Sequence, residues 1–482
     1  MDTRFSLSRR RFMRTAGVLG AGLLVSCTDE AVLDPASPTN AKGGIPGPPG
    51  GGGGGGDGGG TGTRNALKIP SAQAPTGSLK VAPSSVDLGG GQLSTVWAYN
   101  DQFPGPTLVA SQGDANTLQL VNGLAQDTIT HWHGMLVDDV NDGHPRHAIA
   151  PGGTFSYNYQ VNQRATLNWY HPHPHELTGE QVAMGLAGAF IIRDTVESGL
   201  GLPAGLPYEV PLIIRDASFD KNGDMQYKPR SGGFEGDTPL VNGTLDAGHA
   251  VDAAVYRFRI LNGSNARIYR LALSNGDPFT LIGNDGGLLA ASTPVSEIVL
   301  SPAERVDVLV DLTGRAGSKV MLRDLNAGWD LLELAVNDTV VNNMTIPGTL
   351  DAIVPLSQDG TTREFSFDGM SKINGKVYDM YASEFTVKKG VTERWRFTTK
   401  GNAPHPVHVH GAYFQVLSRT GGRGQLFPWE AGWKDTVLLE DGEEVDVLIR
   451  FDHSAVRGIY LIHCHKLEHE DMGMMANFTV AP

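Results

Sequence analysis

His463-Cys464-His465, with His469 and Met474 close behind, is the stretch on which the fold and its use turn. Residues two apart on a β-strand share a face, and the residue between them points the other way. His463 and His465 therefore face one side and Cys464 the other, so one strand couples two sites. The rest of the chain is built to supply such strands. Short β-rich runs recur between Gly, Pro, Asn and Asp: Thr95-Val96-Trp97-Ala98-Tyr99, Phe190-Ile191-Ile192, Tyr256-Arg257-Phe258-Arg259-Ile260-Leu261 and Val306-Asp307-Val308-Leu309-Val310. This spacing of turns is that of β-sandwiches. A composition of 40% hydrophobic and 19% charged residues, with 62 Gly and 28 Pro, also favours many short strands over long helices.

Three further histidine clusters lie outward from this segment: His131-Trp132-His133-Gly134, His171-Pro172-His173-Pro174-His175 and His405-Pro406-Val407-His408-Val409-His410. His131 with His133, and His408 with His410, can each present two imidazoles to one site. A thiolate, two imidazoles and a weak thioether form the ligand set of an electron-transfer copper site, and Cys464, His405, His469 and Met474 supply it. The remaining His131, His133, His171, His173, His408, His410, His463 and His465 are enough for three further copper ions. A cluster of that kind suits dioxygen, which needs four electrons and four protons to become water. A histidine in isolation is more often a core or surface residue, and His144, His147, His249 and His453 are read as structural. His175 is read as a neighbour of the site.

A chain of 482 residues is long enough for two to three domains. Gly, Pro and polar residues cluster near 196 and 355, which divides the globular part into 67–195, 196–355 and 356–482. The histidine clusters fall in the first and third segments, so the middle one is expected to be structural or to face the substrate. A net charge of −14 argues against nucleic-acid binding, which needs basic patches. With only Cys27 and Cys464 present, no disulfide framework holds the fold. At the N-terminus, Ser8-Arg9-Arg10-Arg11-Phe12-Met13-Arg14 precedes a short apolar run, as in a twin-arginine export signal. Leu24-Val25-Ser26-Cys27 closes that run and resembles a lipobox, which makes Cys27 a candidate lipid anchor. Residues 1–27 are thus read as the signal. Residues 28–66, mostly Gly from Ala41 to Thr63 with Pro46, Pro48 and Pro49 among them, are read as a linker.

With four clusters in this order, the chain from about residue 75 to its end resembles multicopper oxidases of the bacterial copper-efflux oxidase and laccase group. Pro104-Gly105-Pro106, Gln181–Gly188, Asn284-Asp285-Gly286-Gly287, Ala431-Gly432-Trp433-Lys434-Asp435-Thr436 and Glu468-His469-Glu470-Asp471 carry the same resemblance. It implies three consecutive cupredoxin-like Greek-key sandwiches and four copper ions of three types. Type 1 copper would sit on His405, Cys464, His469 and Met474, and type 2 copper on His131 and His408. The type 3 pair would use His133, His171, His173, His410, His463 and His465. Asp142 and Glu470 match positions that deliver protons to bound oxygen. Dioxygen and a small reducing substrate are the expected partners, with a monomer in the periplasm or cell envelope.

One departure bears on the substrate. Copper-efflux oxidases carry a methionine-rich segment and an acidic and methionine pair before the third motif, where this chain has Gly401-Asn402-Ala403-Pro404 and only 12 Met in all. Soft thioethers select Cu(I), so phenolic or other organic donors stand beside cuprous ion as candidates. An axial Met474 implies a moderate type 1 potential. The competing readings are a copper-free scaffold, a nitrite reductase and a copper store. The first two conflict with the complete ligand set, and oxygen uptake separates the third.

Overall fold

The computed structural model describes residues 64–481 except Gln92, Ser231, Asn402 and Ala403. The twin-arginine segment, Cys27 and most of the glycine-rich linker lie outside the described residues. Among the described residues no helix is long and apolar enough to cross a membrane.

The chain forms six β-sheets with a few one-turn helices, arranged as three cupredoxin-like sandwiches. The first sandwich places Thr130–His133, Thr166–Pro172 and Gly188–Arg193 side by side in one five-stranded sheet. The second pairs a six-stranded with an eight-stranded sheet; the latter includes Arg305–Asp311. In the third, Met475–Ala481, Gly458–Cys464, His405–Val409 and Thr436–Leu439 are successive neighbours. Each sandwich buries its own apolar core, centred on Trp132, on Phe258 and Leu309, and on Trp395 and Phe478 respectively.

The ends of the sandwiches are less tidy than the sequence suggests. Asn65 and Ala66, at the close of the expected linker, form a short strand parallel to Ala247–Ala253 of the middle sandwich. Asn65 N–H donates to Asp246 O at 3.0 Å and Leu67 N–H to Gly248 O at 2.7 Å. The Leu67 side chain then enters the middle core. A two-residue strand has no periodicity to reveal it, and its pairing partner is about 180 residues away.

Strand alternation in the first and third sandwiches creates the site. Trp132 points into the first core, which turns His131 and His133 outward. Cys464 points into the third core, which turns His463 and His465 outward. Val407 and Val409 share that core, so His408 and His410 face out with them, while His405 lies on the Cys464 side. In register, His408 pairs His463 and Val407 pairs Cys464, and on the other domain His171 pairs His131. The two outward faces meet between the first and third sandwiches.

Candidate metal centre

Four imidazoles from the first sandwich and four from the third converge there, every one of them buried. Donor atoms of His131, His133 and His171 lie within 4.8 Å of one another, as do those of His131, His408 and His410, and those of His173, His410 and His463. The His465 ring centroid is 5.0 Å from that of His133 and 5.1 Å from that of His171. All eight histidines singled out from the sequence are thus brought together.

Hydrogen bonds decide which ring nitrogens are free. His131 Nδ1 donates to Asp142 O at 2.5 Å, and His408 Nδ1 to Asp435 O at 2.9 Å. His171 Nδ1 donates to Pro172 O at 2.9 Å, and His133 Nε2 to the Asp435 carboxylate at 3.1 Å. The opposite nitrogens, Nε2 of His131, His408 and His171 and Nδ1 of His133, are buried without a partner, as are both ring nitrogens of His173 and His465. Buried polar atoms are rarely left so. His410 Nε2 faces His463 Nε2 at 3.1 Å, while His410 Nδ1 lies 2.7 Å from Asp142 and His463 Nδ1 lies 3.1 Å from Glu470. With the His410 Nδ1 proton directed to the Asp142 carboxylate and that of His463 to the Cys464 carbonyl at 3.3 Å, two lone pairs face each other, an arrangement that calls for a cation beside them. Burial, and then the neighbouring histidines, hold His131, His408 and His410 well below the usual imidazole range. They are therefore neutral, as metal ligands must be.

The second group lies inside the third sandwich. Cys464 Sγ is 3.5 Å from His405 Nδ1 and 3.7 Å from His469 Nδ1, and those two nitrogens are 3.2 Å apart. Met474 is fully buried in the same core as Cys464, whereas Met472 is exposed and Met475 pairs across from His463. Burial pushes the Cys464 thiol up to about 12. A thiol this hard to ionise, enclosed by neutral imidazoles, becomes a thiolate only by exchanging its proton for a metal ion. The residues present therefore fit a soft-ligand copper site beside an imidazole cluster.

Two carboxylates flank the cluster in contrasting states. Burial, reinforced by Asp139, pushes Asp142 well above the usual carboxylate range. Burial also works to raise Glu470, but His173 and His463 outweigh it and hold the carboxyl below that range. His144 is buried with Nε2 2.9 Å from Asn477 Oδ1, and His175 stacks edge-on to Tyr378, 5.4 Å away, so neither joins the cluster.

Sequence reasoning left Asp435 and Arg305 without a role. Asp435 supports His133 through its carboxylate and His408 through its backbone, and it receives both Arg305 Nη atoms at 2.6 Å. Burial opposes the Arg305 charge, but Asp435 and Asp285 prevail and hold it above its usual range. Gly134, with φ of +87°, turns the chain over this pair; a Cβ there would lie 2.4 Å from Asn168 Oδ1 and 2.9 Å from both Arg305 Nη2 and Asp435 Oδ2. The middle sandwich thus touches the cluster from behind. Its Asp285 also takes Lys434 Nζ at 2.9 Å, and its Gly286 N–H donates to Trp433 O at 2.8 Å. Two of the segments that carried the resemblance without an assigned chemistry, residues 284–287 and 431–436, form this joint.

Comparison with known proteins agrees with the geometry. Family models described as multicopper oxidase match residues 80–197 and 350–482. The chain is 34% identical to a multicopper oxidase mco of Staphylococcus haemolyticus over 84% of this chain and 88% of that protein. It is 31% identical to a laccase of Bacillus subtilis, over 79% of this chain and 89% of that one. It is also 31% identical to a cell division protein FtsP of Xenorhabdus nematophila, over 80% and 85%. The crystal structure of the McoA multicopper oxidase from Aquifex aeolicus superposes with a TM-score of 0.82 at 34% identity, covering 87% of this chain and all of that one. Imidazoles with free nitrogens, a thiol built into the same strand, and relatives spanning nearly its whole globular length lead to one assignment: the chain belongs to the multicopper oxidase family, oxidoreductases that couple oxidation of a reducing substrate to the reduction of dioxygen to water.

Proposed function

We propose that this oxidase takes electrons from small phenolic or other aromatic donors, in the manner of a laccase, at the group formed by His405, Cys464, His469 and Met474. In this reading about four copper ions bind per chain: type 1 on that group, type 2 on His131 and His408, and a type 3 pair on His133, His171, His173, His410, His463 and His465. Copper supplies one-electron exchange at the first group and dioxygen reduction at the second. The chain's own residues do the rest. Cys464 links the groups covalently, because its backbone leads directly to His463 and His465. Asp435, Asp142 and the carbonyls behind the rings fix which nitrogen faces inward. Asp142, with its raised affinity for a proton, donates at the His410 edge, and Glu470, held ionised, passes protons at the His173 and His463 edge.

The observation that carries this reading is the set of buried, partnerless imidazole nitrogens facing common centres between the first and third sandwiches, with Cys464 Sγ, His405 Nδ1 and His469 Nδ1 gathered on the other side of the same strand. The want of thioethers before His405 favours organic donors over cuprous ion. The division at 195/196 and 355/356, action as a monomer, twin-arginine export to the cell envelope and lipid attachment at Cys27 belong to the same proposal. The likeness to a cell division protein motivates the alternative of a scaffold without copper. Purified protein should carry about four copper ions per chain, show a thiolate-to-copper absorption band and consume oxygen faster with a phenol than with Cu(I). Protein that stays colourless and copper-free after loading would establish the scaffold instead. In Asp142→Asn, oxygen consumption should fall by roughly 10²–10⁴-fold, with the alkaline limb of its pH profile, which a proton donor sets, displaced.

A further inference from the structure

We propose that Lys466 makes the cavity beside His405 selective for aromatic donors that carry an anionic oxygen: a carboxylate, a sulfonate or a phenolate. The inference rests on the oxidase reading above and specifies which donors that site takes. A cavity of about 380 Å³ is walled by Pro404 and Lys466 on one side and by Glu235, Ala266, Arg267, Ile268 and Asn326 of the middle sandwich. That volume suits one substituted aromatic ring. Its position suits electron donation. Pro404 directly precedes His405, and the backbone N–H of Lys466 donates to Cys464 Sγ at 3.4 Å.

The charges in the wall are unequal in what they have left to offer. Arg267 is committed: Nε donates to Asp216 at 2.9 Å, Nη2 to Gly236 O at 2.7 Å, and the guanidinium lies 4.4 Å from the Trp329 ring centre. Glu235 is half-exposed and 3.4 Å from Arg267, so water and that cation screen it. Glu468 gives Oε1 to Tyr227 at 3.1 Å and to Asn265 at 2.8 Å, while its Oε2 is buried without a hydrogen-bond partner on the Gly233 side, where the Lys466 stem also lies. Lys466 is only 7% exposed, yet among the described residues its ammonium has no ion pair and no hydrogen bond. Its stem packs beside Gly233 and Ala266: a Cβ at Gly233 would lie 3.3 Å from Lys466 Cδ and 2.7 Å from Ala266 Cβ. The stem is buried while the ammonium itself reaches the solvent of the cavity, where it is open to an acceptor. An anionic oxygen in the cavity supplies the acceptor and places the attached ring against the Pro404–His405 edge. On a chain of net charge −14, a local cation is also what such a donor needs to approach.

Vanillate and vanillyl alcohol share a ring and differ in one carboxylate, so they isolate the effect. The copper-loaded parent should turn over vanillate with the higher kcat/KM, and that preference should shrink as salt is added. In Lys466→Met the ratio of kcat/KM for vanillate over vanillyl alcohol should fall at least about tenfold, and Lys466→Arg should retain most of it. Calorimetric binding of vanillate to the copper-free full chain should weaken in Lys466→Met by a similar factor. A parent with no salt-sensitive preference overturns the proposal without any variant. A Lys466→Met protein in which both donors slow equally, with a displaced type 1 potential, overturns it in favour of an effect on the metal. If no donor supports oxygen uptake while vanillate binding still depends on Lys466, the oxidase reading fails and the anion site stands.

Discussion

His405, Cys464, His469 and Met474 come from one sandwich and are packed into one hydrophobic core, whereas the eight clustered imidazoles come four from the first sandwich and four from the third. The first group inherits its geometry from a core that would exist without it. The second exists only where two separately folded faces meet, and it is held there by charged side chains: Asp142 across from His410, Glu470 across from His173 and His463, and Asp435 clamped by Arg305. A site inside a core needs little beyond packing to stay in place. A site between cores needs a buried electrostatic frame, and this protein draws that frame from all three domains.

Substituting Cys464 by Ser attacks the link between the two groups and should have the largest effect. Oxygen uptake should fall by more than the roughly 10–100-fold typical of removing a partner behind a ligand. The visible band should vanish while paramagnetic copper in the interdomain cluster persists, as electron paramagnetic resonance would show. Retained oxidase activity would mean that the two groups work independently. Asp435→Asn should do the reverse: the thiolate band survives, cluster copper is lost and activity drops by roughly 10–100-fold. Leaving the buried Arg305 charge with Asp285, 3.5 Å away, as its remaining carboxylate should also cost up to about 3 kcal/mol, read from urea unfolding of the copper-free protein. If the band and the cluster fail together in that variant, the two sites are not built separately.

Acid offers a gentler separation. Burial pushes His171 down to about 3, His173 to about 4 against the pull of Glu470, and His405 to about 4 inside the third core. A depressed histidine stabilises the fold above its unfolded value near 6.5, and that contribution is lost as pH falls towards the folded value, because the unfolded chain binds the extra protons. With more such rings between the domains than within the third core, copper-free protein should lose amide protection along Thr130–His133 and Thr166–Pro172 at higher pH than around Trp395. Simultaneous loss would show that the interface is no weaker than the core. The smallest effect belongs to Met474→Leu. It should raise the type 1 potential measured by redox titration while leaving copper bound, since in the proposed site His405, Cys464 and His469 would remain to hold it.

The chemistry was legible in the sequence because it is written in residue types with short spacing. Two histidines at i and i+2, or a cysteine between two histidines, declare a strand and its two faces together, and the all-β class follows from the turns between such runs. What stayed hidden were relations between distant segments. Asp435 and Arg305 are 130 residues apart and ordinary in type, so nothing local marks them as a pair. The same holds for Asp471, whose carboxylate accepts the backbone N–H groups of Thr178 and Gly179 and ties the third domain to the first. Asn65–Ala66 joined the middle domain for a reason no window of local pattern can contain: the free edge was elsewhere. His175, close in sequence to two cluster members, packs edge-on to Tyr378.

The strand His405–Val409 works as a ruler. His405 and His408 are three positions apart, an odd offset, so they emerge on opposite faces, and the run of about 10 Å between them is set by backbone rise rather than by side chains. Substitutions can retune either centre, but none can alter the gap between them. A one-residue insertion or deletion would exchange the faces and abolish both centres at once. Variation among such proteins should therefore be free in the loops around this strand and closed to any change of length within it.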